Sequence, residues 1–75
     1  MKTLALLFPI DGFSRNQIET ISDEEAYGMA KTAVADGEGD IYELNEFAED
    51  LNAGMGIDDY WVKFVNVETD EDWSK

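Results

Sequence analysis

One stretch of the chain, Thr3 to Phe8 with the sequence TLALLF, is apolar throughout after its first residue. A strand with one face in water alternates apolar and polar residues, whereas a continuous apolar run is typical of a strand covered on both faces or central in a sheet. The chain has only 75 residues and contains neither cysteine nor histidine. A single small core therefore has to hold the fold without disulfides or a zinc site, and the run predicts the strand at its centre.

The segment after this run predicts a hairpin. Asp11-Gly12 is a dipeptide typical of two-residue turns, in which both central residues need a positive φ. The sequence QIETI, Gln17 to Ile21, has a partly alternating, β-branched character and is interpreted as the returning strand. Pro9 cannot donate to a strand ladder and would weaken pairing close to the turn.

A helix is predicted to begin after Ser22. Ser22 followed by Glu25 forms a capping box, and acidic residues at 23–25 suit the positive end of the helix dipole. Gly37 is expected to end the helix. Its apolar positions have the spacing of one buried helix face: Ala26, Met29, Ala30, Ala33 and Val34.

The second half of the chain predicts a strand, a helix and a further strand. DIYEL, residues 40–44, is interpreted as a short strand, and Asn45 as the cap of a helix that buries Phe47, Ala48 and Leu51. YWVKFVNV, residues 60–67, alternates so that Tyr60, Val62 and Phe64 face one way and the residues between them face the other.

These elements indicate an α+β domain over residues 1–67. We expect a small, mostly antiparallel sheet of three to four strands with two helices packed on one face. The remaining residues, 68–75, form an acidic C-terminal tail that contains Trp73.

Residues 40–65 contain the following pattern: a strand ending in Tyr-x-Leu, an amphipathic helix with a Phe and an Asn, and a Tyr-Trp-x-x-Phe strand. This pattern resembles one found in short uncharacterised acidic proteins of gut anaerobic bacteria. The resemblance rests on packing residues, so it implies an α+β fold and brings no activity or site residues with it.

The charge of the chain limits its partners. Its 18 acidic and 5 basic residues give a net charge of −13, which disfavours direct binding to nucleic acid or to an anionic membrane. A partner should instead present a basic protein surface. The start, MKTLALLFPIDG, imitates a secretory signal, but its apolar run stops at Asp11 and no small-residue cleavage site follows, so a cytoplasmic protein is expected.

Catalysis, metal binding and cofactor binding are not expected. Without histidine and cysteine the usual general base and thiolate nucleophile are missing. Asp36, Glu38 and Asp40 match the first positions of a calcium-binding loop, but Ile41 and Phe47 stand where that loop needs glycine and a bidentate glutamate. No phosphate-binding glycine motif is present.

Between Lys31 and Lys63 the chain contains nine acidic residues and no basic one. Three of them, Glu46, Glu49 and Asp50, share one face of the predicted helix. With Asp58 and Asp59 they form the predicted contact set for a basic partner. Trp73 in the acidic tail is added as an anchor, and Trp61 as a further partner contact. A mimic of nucleic acid that inhibits a DNA- or RNA-binding enzyme would have such a surface, although excess acid also serves solubility alone.

A homodimer or assembly component is the alternative from a different class. Trp61, Val65 and Val67 share one face of the last strand, and if that face were uncovered they would form an apolar patch suited to self-association.

Overall fold

The computed structural model describes residues 2–68 and has an α+β fold, as predicted. A three-stranded antiparallel sheet is combined with three helices. The elements in chain order are β1 (Lys2–Pro9), α1 (Arg15–Glu19), α2 (Asp23–Ala35), β2 (Asp40–Glu43), α3 (Leu44–Asn52) and β3 (Tyr60–Val67). Apart from Glu68, the predicted C-terminal tail with Trp73 lies outside the described residues.

The apolar run forms the central strand, so the first prediction is confirmed. The strand order is β2-β1-β3, and β1 pairs antiparallel with both neighbours. Leu6, for example, lies between Ile41 of β2 and Lys63 of β3. Because both outer strands run opposite to β1, they are parallel to each other, and α3 connects them by crossing over β1.

The larger part of the core lies between the sheet and the helices α1 and α2. Leu4, Leu6 and Phe8 of β1 project into it and are fully buried. The helices contribute Ile18 from α1 and Ala26, Tyr27 and Ala30 from α2. The small alanines let α2 approach the sheet closely.

The prediction that both helices pack on one face was wrong for α3. Ala5 and Leu7 of β1 point to the opposite face, where they form a second, smaller cluster with Phe47 of α3. Both faces of β1 are apolar, so leaving one of them uncovered would expose leucine to water. The crossover from β2 to β3 carries α3 over that face and buries it.

The predicted hairpin at Asp11-Gly12 was also wrong. The Gly12 N–H donates to the Pro9 carbonyl at 3.1 Å, which closes a turn over residues 9–12, and no non-glycine residue in the described part of the chain has a positive φ. Asp11 therefore cannot occupy the turn type that the dipeptide suggested. The predicted strand at 17–21 is replaced by α1, which Ser14 caps by accepting a hydrogen bond from the Gln17 N–H at 3.1 Å.

The predicted cap of α2 by Ser22 is confirmed. The Ser22 hydroxyl accepts a hydrogen bond from the Glu25 N–H at 3.2 Å, and Gly37 follows the helix with a φ of 75°. The chain then passes Gly39, where an added Cβ would lie 2.7 Å from the Leu7 carbonyl oxygen. Only glycine fits between α2 and β1 at this point. The helix α3 has no side-chain cap, since Glu43 rather than Asn45 precedes it.

No helix within residues 2–68 is long and apolar enough to cross a bilayer.

Candidate functional site

The two flanks of α3 differ in chemistry. Phe47 faces the sheet and is only 4% exposed. At 100° per residue, Glu46, Glu49 and Asp50 fall on one side of Phe47, and Leu44 and Leu51 fall on the other. The sequence prediction that the three carboxylates share one side of this helix is consistent with the helix that forms.

The acidic flank of α3 lies toward β2. The Tyr42 hydroxyl donates a hydrogen bond to the Asp40 carboxylate at 3.2 Å. Partial burial, followed by the negative charges of Asp40 and Asp50, raises the pKa of Tyr42 above its ordinary value of 10.0. Asp50 on α3 therefore lies close enough to the phenol of β2 to influence it. We define the acidic surface as Asp40, Glu46, Glu49 and Asp50.

The remaining residues of the predicted contact set lie elsewhere. Asp58 and Asp59 are exposed in the loop before β3, where the Asp59 carbonyl accepts a hydrogen bond from the Ile10 N–H at 3.0 Å. This loop leads away from the carboxyl end of α3 to the outer strand. Trp73 lies outside the described residues.

Trp61 belongs to the larger core. Its indole N–H donates to the Phe13 carbonyl at 2.8 Å, and its ring packs against the buried cluster between the sheet and α1–α2. Val65 and Val67 on the same face are 1% and 5% exposed. The apolar patch that these three residues would form on an uncovered face is therefore absent, because α1 and α2 cover that face of β3.

Besides Ile10 in the loop after β1, the large exposed apolar side chains lie on the other face of β3 and on α3. Phe64 is 54% exposed, although its ring touches that of Phe47 with 5.7 Å between centroids. Leu44 and Leu51, on the flank of α3 opposite its carboxylates, are 42% and 37% exposed. We call Phe64, Leu44 and Leu51 the apolar strip. It arises because α3 is centred over Ala5 and Leu7 rather than over β3.

The carboxylates of the acidic surface are accessible to solvent. None of the charged or polar residues between positions 2 and 68 is buried. In the same part of the chain, no group of three or more carboxylates is placed to hold a metal ion. The phenol of Tyr42 is protonated at neutral pH, since its ordinary pKa is 10.0 and its surroundings raise it further. A protonated phenol beside Asp40 is a hydrogen-bond donor rather than a base.

Asp40 and Tyr42 lie outside the contact set that the sequence predicts. Both residues project from the same side of β2, since they are two positions apart on a strand. This two-residue spacing on a predicted strand was the sequence signal that could have placed both residues on one surface. What the sequence could not provide was the position of α3, which brings Asp50 toward them.

Comparisons with known proteins return nothing that assigns a family. No family model matches the chain, and no curated protein and no solved structure matches it.

Proposed function

We propose that this protein acts by binding a basic protein partner through its acidic surface, without catalysing a reaction. The observation that carries the proposal is the position of Asp50 on α3 beside Asp40 and Tyr42 on β2. Carboxylates from two different elements, Asp40 of β2 and Asp50 of α3, therefore lie near the same phenol.

The balance of charge supports a basic partner. Lys2 pairs with Glu43 at 3.1 Å and Arg15 with Glu19 at 3.2 Å, both at exposed positions. Even if all 5 basic residues of the chain were paired, the net charge of −13 would remain. Such a field attracts basic surfaces and accelerates their association.

The narrower form of the proposal is nucleic-acid mimicry. Its partner would be the cationic groove of a DNA- or RNA-binding enzyme, which the carboxylates of the acidic surface would occupy in place of phosphates. Adding a short DNA or RNA duplex to the complex distinguishes mimicry from binding of any basic partner. The duplex displaces the protein only when the partner uses the same groove for nucleic acid.

The experiment compares two variants of equal charge. One is Glu46→Gln/Glu49→Gln/Asp50→Asn on the acidic surface. The matched control is Asp11→Asn/Glu24→Gln/Glu38→Gln, three exposed carboxylates located elsewhere. Each bait is used to capture proteins from extracts of the source cells, and the proteins bound to the unaltered chain are identified and purified.

We expect the first variant to lose at least about tenfold in affinity for the purified partner and the control to lose little. Binding should also weaken steeply as salt rises, because the Debye length falls from about 10 Å at 0.1 M to about 3 Å at 1 M. Equal losses in the two variants, or binding that is unchanged in molar salt, would contradict the proposal.

A further inference from the structure

The outer edge of β3 has backbone groups that the sheet does not use. The Ile10 N–H donates to the Asp59 carbonyl, so Asp59 points toward β1. Backbone direction alternates along a strand. The backbone N–H and C=O groups of Trp61, Lys63 and Val65 therefore also point toward β1. Those of Val62 and Phe64 point away from it.

On each of the two edge strands, one outward N–H group is bound by a carboxylate. On β3, the Asn66 N–H, which also points outward, donates to the Asp23 side chain at 3.0 Å. On β2, which has only four residues, the outward Ile41 N–H donates to the Asp40 side chain at 3.2 Å. Proteins commonly blunt their edge strands in this way. The middle of β3, at Val62 and Phe64, has no such hydrogen bond among the described residues.

The surroundings of this open edge suit an added strand. A groove of about 220 Å³ runs between β3 and α1, lined by Arg15, Ile18 and Glu19 of α1 and by residues 60–62. Arg15 is paired with Glu19 at 3.2 Å. Trp61 faces the α1 side of the sheet while Val62 faces the α3 side, so the groove reaches around the strand edge. Next to it Phe64, the most exposed member of the apolar strip, would be covered by an alternating side chain of a paired strand.

Charge decides which strand fits. Asp58 and Asp59 precede β3, whereas Asp23 and Glu68 lie at its far end. A second copy of the chain would bring acid next to acid at both ends, whichever way its own β3 ran. Like charges on adjacent strands are destabilising. A strand with basic residues at both ends meets opposite charges instead.

We propose that the edge of β3 at Val62 and Phe64 binds an extended segment of a partner protein, which adds a fourth strand to the sheet. The segment has apolar residues at alternate positions, to cover Phe64, and lysine or arginine at both ends. This surface is separate from the acidic surface on α3 and β2, and the inference does not depend on that surface being functional.

The test uses amide hydrogen exchange of the full chain, measured by NMR. In the free protein the Val62 and Phe64 amides should exchange at least about tenfold faster than those of Trp61, Lys63 and Val65. The probe is a synthetic peptide of alternating valine and threonine with two arginines at each end. It should protect Val62 and Phe64 at least about tenfold, and the same peptide with glutamates in place of the arginines should not.

A matched pair of variants tests the backbone contribution. Phe64→Pro removes an outward N–H and leaves the ladder to β1 intact, so it should abolish binding of the peptide. Phe64→Ala keeps the N–H and removes only the ring, so it should weaken binding by a smaller factor. Neutralising Glu46, Glu49 and Asp50 should leave the protection at Val62 and Phe64 unchanged, which separates this result from that of the acidic surface.

Three results would overturn the inference. Slow exchange of Val62 and Phe64 in the free monomer would mean that the chain already covers this edge. Protection that rises with protein concentration, together with dimers in sedimentation equilibrium, would make a second copy the occupant. A peptide that binds equally to the unaltered chain and to Phe64→Pro would not be pairing with the strand.

Discussion

Phe47 should be the residue on which the attachment of α3 depends most. It is the only residue of α3 among the buried members of the smaller core cluster, with Ala5 and Leu7 of β1. Its ring also meets Tyr42 and Phe64, at centroid distances of 6.1 and 5.7 Å. The small side chain of Ala5 leaves the space that this ring fills.

The expected cost can be compared with the stability of the whole domain. Replacing a buried phenylalanine by alanine costs about 3–5 kcal/mol, and a chain of 75 residues has an unfolding free energy of roughly 4–11 kcal/mol. Phe47→Ala should therefore remove a large share of the total. Phe47→Leu keeps most of the apolar volume and loses two ring contacts of about 0.5–1.5 kcal/mol each, so it should cost about 1–3 kcal/mol.

Urea denaturation followed by circular dichroism measures these costs, with Leu51→Ala as the control. Leu51 is on the same helix but is partly exposed, so its truncation should cost less than half as much as Phe47→Ala. If Phe47→Ala proves too unstable to fold, the comparison uses Phe47→Leu. Equal costs for Phe47→Ala and Leu51→Ala would refute the argument that a single ring anchors α3.

Three further predictions concern other parts of the fold. Gly39→Ala should destabilise the protein by about 1–3 kcal/mol in urea denaturation, because its Cβ would meet a β1 carbonyl oxygen at 2.7 Å. Gly28→Ala, with no atom within 4 Å of the added Cβ, should instead stabilise α2 by about 0.5–1 kcal/mol. The opposite order of stability for the two variants would contradict the packing around Gly39. Asp23→Ala should cost about 1–2 kcal/mol, since it removes the carboxylate that accepts from the Asn66 N–H, and no loss in thermal unfolding would show that this contact is not formed. Burial and the neighbouring carboxylates raise the pKa of Tyr42 above 10.0, so the folded state holds this proton more tightly than the unfolded state. The contribution of the Tyr42 proton to stability is therefore complete below pH 10 and is lost as pH rises through the folded pKa. Ultraviolet titration should reveal one tyrosine that ionises late and that disappears in Tyr42→Phe.

Elements with strong local signals could be predicted from the sequence. The apolar run became the central strand, Ser22 and Glu25 started α2 where expected, and the alternation of residues 60–67 assigned side chains to the correct two faces of β3. Each of these signals depends on a few neighbouring residues whose preferences agree. The segment at residues 15–19 had weaker preferences, so the cap from Ser14 and packing of Ile18 on the core decided that it is helical.

The sequence by itself determined which residues share a face, because helices and strands repeat their side chains with fixed periods. It did not determine what covers each face. The crossover of α3 placed a helix opposite α1 and α2, buried Val65 and Val67, left Phe64 exposed and brought Asp50 toward Tyr42. Those outcomes depend on contacts between residues far apart in the chain, and periodicity along a single segment contains no information about them.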